Sequence, residues 1–108
     1  MSQFDDFVST VIDGVRDIAI DDLAGFVADA EDDARAFVAN AELKLRRRTD
    51  MLASGELTPD EFEDLVRGQA DLAVLFALTE AGVAAARLER FRQDLIELVV
   101  NKAFAFFL

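Results

Sequence analysis

Apolar side chains recur along the first half of the chain at Phe4, Val8, Val11, Val15 and Ile18. They continue at Leu23, Phe26, Ala30, Ala34, Phe37, Ala41 and Leu45, mostly in steps of three and four. That spacing keeps one face of an α-helix apolar. The second half repeats it through Phe62, Leu65, Val66, Leu72, Leu75, Phe76, Val83, Leu88, Phe91, Leu95, Leu98 and Val99, on to Phe106. No two-residue alternation persists, so the pattern predicts an all-α protein without a sheet. The rhythm falters between Ile18 and Leu23, beside Asp21-Asp22 and just before Gly25, which predicts a kink or short interruption at 20–25. Gly68 and Gly82 are the soft points of the second half.

The only proline, Pro59, sits in the one segment that reads as a turn, Ala53-Ser54-Gly55-Glu56-Leu57-Thr58-Pro59. Gly55 follows Met51-Leu52 where a left-handed residue would end a helix, and Lys44, Arg46, Arg47 and Arg48 suit the negative end of its dipole. Thr58 then supplies an N-cap oxygen, Pro59 fits the first helical position and Glu61 completes a capping box. These signals predict a helix over about 4–53, a turn at 54–58 and a helix over about 59–106, as a single domain spanning 1–108. Two straight helices of that size are each about 75 Å long at 1.5 Å per residue. So short a turn makes them antiparallel neighbours. In that hairpin Arg46 to Arg48 face Glu61, Glu63 and Asp64. Asp21 and Asp22 meet Arg87, Arg90 and Arg92, and Phe4 and Phe7 reach the level of Phe104 to Leu108.

The segments 72–78 and 95–108 are apolar nearly all round the helix axis, and one partner helix covers only a stripe. A second hairpin would cover the rest and complete a four-helix bundle. The expected interface for self-association, or for another protein at the phenylalanine-rich end, is Leu72, Leu75, Phe76, Leu78, Leu95, Val99, Phe104, Phe106, Phe107 and Leu108, with Phe4 and Phe7. The competing arrangement is a monomer bent at 20–25 and near Gly82 into four shorter helices.

Composition narrows the chemistry. Eleven Lys+Arg against 22 Asp+Glu leave a net charge of −11, which repels nucleic-acid phosphates and anionic membranes alike. The chain has no histidine, cysteine or tyrosine. Ser9 or Ser54 therefore lacks an imidazole base, and the lysine alternatives, Lys44 and Lys102, lie far apart in sequence. No enzyme, cofactor or catalytic residue is expected. An all-carboxylate metal site from Asp29, Asp32, Asp33 and Glu80 competes poorly with a solvated acidic face, because the ferritin-like pattern wants histidine. The cluster Lys44, Arg46, Arg47 and Arg48 reads as dipole complement and ion-pair partner of the next helix. Phe104, Phe106, Phe107 and Leu108 read first as a terminal core layer against Phe4 and Phe7, then as a docking tail or lipid contact. The N-terminus has no basic, apolar leader, and the apolar run 72–86 is interrupted by Glu80, so a cytoplasmic location is expected. The functional expectation is a structural or adaptor protein that self-associates. A carrier of a small apolar ligand or lipid between helices is the alternative, with a carboxylate metal-binding bundle behind it.

Overall fold

The computed structural model describes residues 2–69 and 74–108. Among these the chain is all-helical, with α1 at Gln3–Asp22, α2 at Val27–Ser54, α3 at Pro59–Arg67, α4 at Phe76–Glu80 and α5 at Ala85–Phe107.

The central turn forms from the residues that predict it. Gly55 is left-handed at φ 83° and closes α2 through its N–H to the Leu52 carbonyl. Thr58 Oγ1 accepts from the Glu61 N–H at 3.2 Å while the Glu61 carboxylate accepts from the Thr58 N–H at 2.9 Å. Two of the orphan donors at the start of α3 are thereby satisfied. The first cap, unforeseen from the sequence, is Ser2, whose hydroxyl accepts from the Asp5 N–H at 3.2 Å.

The rest of the path differs from two straight helices. The interruption expected at 20–25 is a complete reversal, in which Leu23 N–H closes on Ala19 and Phe26 N–H on Leu23, each at 2.8 Å. The continuous helix expected over 59–106 does not form either. It stops at Gly68 and resumes for five residues as α4; a second turn then precedes α5. Gly25 (φ 92°) and Gly82 (φ 87°) occupy the left-handed region in the turns before α2 and α5, where a side chain would be strained. The longest dimension of the molecule is 42 Å, well short of the roughly 75 Å of a straight hairpin. Much of the apolar surface of 95–107 is covered here by the chain's own return, whereas Val74 and Phe76 stay exposed.

Cross-helix pairs fix the directions. Arg46 reaches Asp5 at 3.5 Å and Arg16 reaches Glu31 at 2.9 Å, which sets α1 antiparallel to α2. The Phe7 and Phe107 rings lie 5.6 Å apart and Arg90 lies 3.7 Å from Asp22, which sets α1 antiparallel to α5. The three long helices thus surround one core, with α2 and α5 running the same way and α3 and α4 packed at the sides. Phe7, Phe37, Phe62, Phe91, Leu45 and Leu95 are fully enclosed, each burial stabilising by about 1.5–3 kcal/mol.

Of the two expected charge meetings, one forms. Arg87 donates to the Asp22 carbonyl at 3.1 and 3.3 Å, with Arg90 beside the Asp22 carboxylate. The other is replaced: Arg46 takes Glu42 and Asp5, Arg48 donates to the Leu65 carbonyl at 3.3 Å, and Glu63 pairs one turn along its own helix with Arg67 at 2.9 Å. Glu61 is already committed to its cap, which also holds its carboxyl below the usual range.

Candidate interaction surface

Most of the residues expected at an intermolecular face lie inside this chain. Leu75, Leu78, Leu95, Val99, Phe4, Phe7 and Phe107 are buried, and Phe104 and Phe106 are half-buried. The phenylalanines form one layer where the two ends of the chain meet. Phe7 stands edge-on to Phe106 at 6.2 Å and to Phe107 at 5.6 Å, Phe4 lies 5.7 Å from Phe7, and Phe62 from α3 joins Phe104 at 6.1 Å. Arg46 covers the outer face of Phe4, its guanidinium carbon 4.3 Å from the ring centre. The Gln3 amide donates to the Phe106 carbonyl, tying the first turn of α1 to the last turn of α5. The apolar end is therefore closed on itself. Leu108 alone of its members stands open, at 65% exposure.

Leu72 lies outside the described residues, and what remains of the expected face is around α4. Val74 and Phe76 are 64% and 68% exposed, on either side of the buried Leu75 in sequence. A five-residue helix has too few internal hydrogen bonds to stand alone. Here it is tied down from below by Asp33 of α2, which is only 3% exposed. One oxygen of its carboxylate accepts from the Ala77 N–H and the other from the Leu78 N–H, both at 2.9 Å. Two charge-assisted bonds thus satisfy two of the orphan donors at the start of α4. Thr79 adds a bond from its hydroxyl to the Leu75 carbonyl at 2.6 Å, and Leu78 plugs the core from the inner side. The outcome is an exposed aromatic ring on a fixed mount.

Sequence reading misses Asp33 in this role, though a signal exists. Ala30, Asp33, Ala34 and Phe37 follow helical spacing on the buried face of α2, and a carboxylate among them demands a buried partner. Its neighbours Asp29 and Asp32 instead suggest a shared acidic face. The carboxylate-metal expectation loses its central ligand to this clamp, and among the described residues no group of three or more metal-capable side chains assembles.

Two further features are open to solvent. A groove of about 410 Å³ runs between α1 and α2 over Phe4, Val8, Ile12 and Val38, with Ser9 and Arg35 among its polar lining. A smaller notch of about 300 Å³ lies between α2 and α3, with Met51, Leu57 and Leu65 beside Lys44, Arg47 and Arg48. The Ser54 hydroxyl donates to the Met51 carbonyl at 3.2 Å.

A third polar feature joins α1 to α5. Asp94 hydrogen-bonds the Asp22 carboxylate, and this contact, together with partial burial and the adjacent charge, pushes the Asp94 carboxyl up to about 6. Arg90 opposes the shift and Glu97 adds to it. Asp22 Oδ2 in this contact is buried without a hydrogen-bond partner among the described residues.

No described helix is long and apolar enough to cross a membrane. Comparison with known families, characterised proteins and solved structures returns no match, so the functional reading rests on this geometry.

Proposed function

We propose that this chain is a non-enzymatic structural or adaptor protein that joins copies of itself through the α4 shelf, with Phe76 as the anchor and Val74 beside it. The observation that carries this reading is a phenylalanine 68% exposed on a helix held in place by a buried carboxylate. Protein interfaces concentrate their energy in a few aromatic anchors whose conformation is set before binding. Exposed apolar side chains scattered singly are ordinary, whereas an exposed aromatic ring on a helix clamped by a buried carboxylate is not. Most of the side chains expected at an interface on the long helices already fill the core. Assembly therefore uses the short helix and adds folded copies to one another.

Light scattering after size exclusion tests this directly. A mass above the 11.9 kDa monomer, rising with concentration and abolished by Phe76→Ser, is the expected result. A monomer at every concentration up to hundreds of micromolar would refute it.

The α1–α2 groove favours one second reading, a carrier of a small apolar molecule. Native mass spectrometry of purified protein tests that reading, and protein free of any co-purifying ligand would rule against it.

A further inference from the structure

The notch between α2 and α3 is basic on a chain of net charge −11, and its cations are not spent on the acids next to them. Among the described residues Lys44 and Arg47 pair with no carboxylate, while Arg48 is held by the Leu65 carbonyl. Lys44, Arg47, Arg48 and Met51 follow the three-four spacing of one helix face, and Leu57 and Leu65 close the notch from the α3 side. Leu43, 84% exposed, lies one turn before Arg47 and extends the apolar margin. Such a site accepts an apolar side chain with a carboxylate beside it. A bare phosphate would leave the apolar floor unused, and the field of the whole chain opposes a polyanion.

The chain itself carries a piece of that chemistry. On α4, Phe76 and Glu80 are four residues apart, hence on one face, and both are exposed. The helix bears no cation. The piece cannot reach the notch of its own molecule. The clamp residue Asp33 beneath α4 precedes Arg47 by fourteen positions, about 21 Å along the α2 axis at 1.5 Å per residue.

We infer that the α4 shelf of one copy docks in the α2–α3 notch of the next, with Phe76 on Met51, Leu57 and Leu65 and Glu80 against Lys44 and Arg47. This rests on the self-association reading and names the surface that receives the anchor. Because shelf and notch are different surfaces, the contact is head-to-tail and the copies form a ring or an open chain rather than a two-fold dimer. Copies that repel one another through net charge are brought together where the charge is locally opposite.

The test uses three full-length proteins in size exclusion with light scattering: wild type, Phe76→Ser, and the double variant Lys44→Glu/Arg47→Glu. All the altered side chains are exposed or at the rim, and circular dichroism checks that each variant stays folded. The expected result is assembled wild type, two monomeric variants, and a mixture of the two variants that recovers a one-to-one dimer and nothing larger. The mixture pairs because the first variant keeps its notch and the second its shelf. Assembly of the notch variant at wild-type strength, with Phe76→Ser monomeric, would overturn the notch as receptor and leave self-association standing. Two monomeric variants that fail to pair when mixed would also overturn the docking. A wild-type monomer would remove both the docking and the reading beneath it.

Discussion

The phenylalanine-rich end and the α4 shelf are both strongly apolar in sequence, yet the chain treats them oppositely. At the end, Phe7 and Phe107 are buried in a layer of rings contributed by α1, α3 and α5. On the shelf, Phe76 faces outward while its neighbours Leu75 and Leu78 are enclosed. The difference lies in the backbone. A long helix can press an apolar stripe against a neighbour throughout its length, whereas a five-residue helix has one inner side and must leave the rest outside. What fixes which side faces in is polar: the Asp33 carboxylate holds the first turn of α4 by its N–H groups.

Paired substitutions break this comparison most sharply. Phe7→Ala removes a ring at the centre of the terminal layer and should lower the unfolding free energy by about 3–5 kcal/mol, read by urea titration. A loss below about 1 kcal/mol would mean the layer is loosely packed. Asp33→Ala leaves two N–H groups beneath α4 without acceptors and should cost about 3 kcal/mol. It should also speed hydrogen exchange at Ala77 and Leu78 well beyond exchange in α1, and unchanged protection there would show that the clamp does not hold α4.

Smaller effects sharpen the picture. Gln69, 5% exposed near the end of α3, has neither amide atom paired among the described residues. Gln69→Met keeps the volume and removes the unmet polar atoms, so thermal unfolding should shift upward by about 1–2 kcal/mol of stability. A loss instead would mean the amide has a partner.

The Asp22–Asp94 contact gives a pH signature. The folded state raises Asp94 from the ordinary 3.8 to about 6, so it holds a proton that the unfolded chain releases. The stability from this contact is full below the unfolded value and is lost as pH rises through about 6. Asp94→Asn mimics the protonated form and should be the more stable protein at pH 7, by about 1 kcal/mol or less given partial solvent screening. The advantage should fade toward pH 4. A variant less stable than wild type at pH 7 would contradict the sign. The smallest effect on stability belongs to Phe76→Ser, within about 0.5 kcal/mol of wild type, because the ring touches little in its own chain.

Much of this fold is legible in the residues. The central turn, its left-handed Gly55 and the Thr58–Glu61 box are local signals, and local signals depend on few neighbours. The position of the first reversal is visible beside Asp21-Asp22 and Gly25, though a kink and a full turn look alike at that level. The breaks on either side of α4 are legible only in part: Gly68 and Gly82 mark the soft points and a bend near Gly82 is the competing arrangement, yet glycines within an apolar helical pattern are also compatible with a continuous helix. All-round apolarity there has two physical solutions, a second molecule or a fold-back, and periodicity cannot choose between them. Of the candidate surface, Phe76 is visible as apolar and helical, but its exposure depends on Asp33, more than forty positions earlier. The basic cluster is visible too. That Lys44 and Arg47 are left without a carboxylate among the described residues is not, since that depends on Glu61 and Glu63 being engaged within α3.

The central claim is that the phenylalanine-rich end holds one molecule together while the shelf joins it to another. Its most direct test is the solution mass of wild type and Phe76→Ser by light scattering at matched concentrations. The account predicts a wild-type mass that climbs above 11.9 kDa with concentration and a folded variant that stays at 11.9 kDa. Equal masses for the two proteins, whether both monomeric or both assembled, would contradict it.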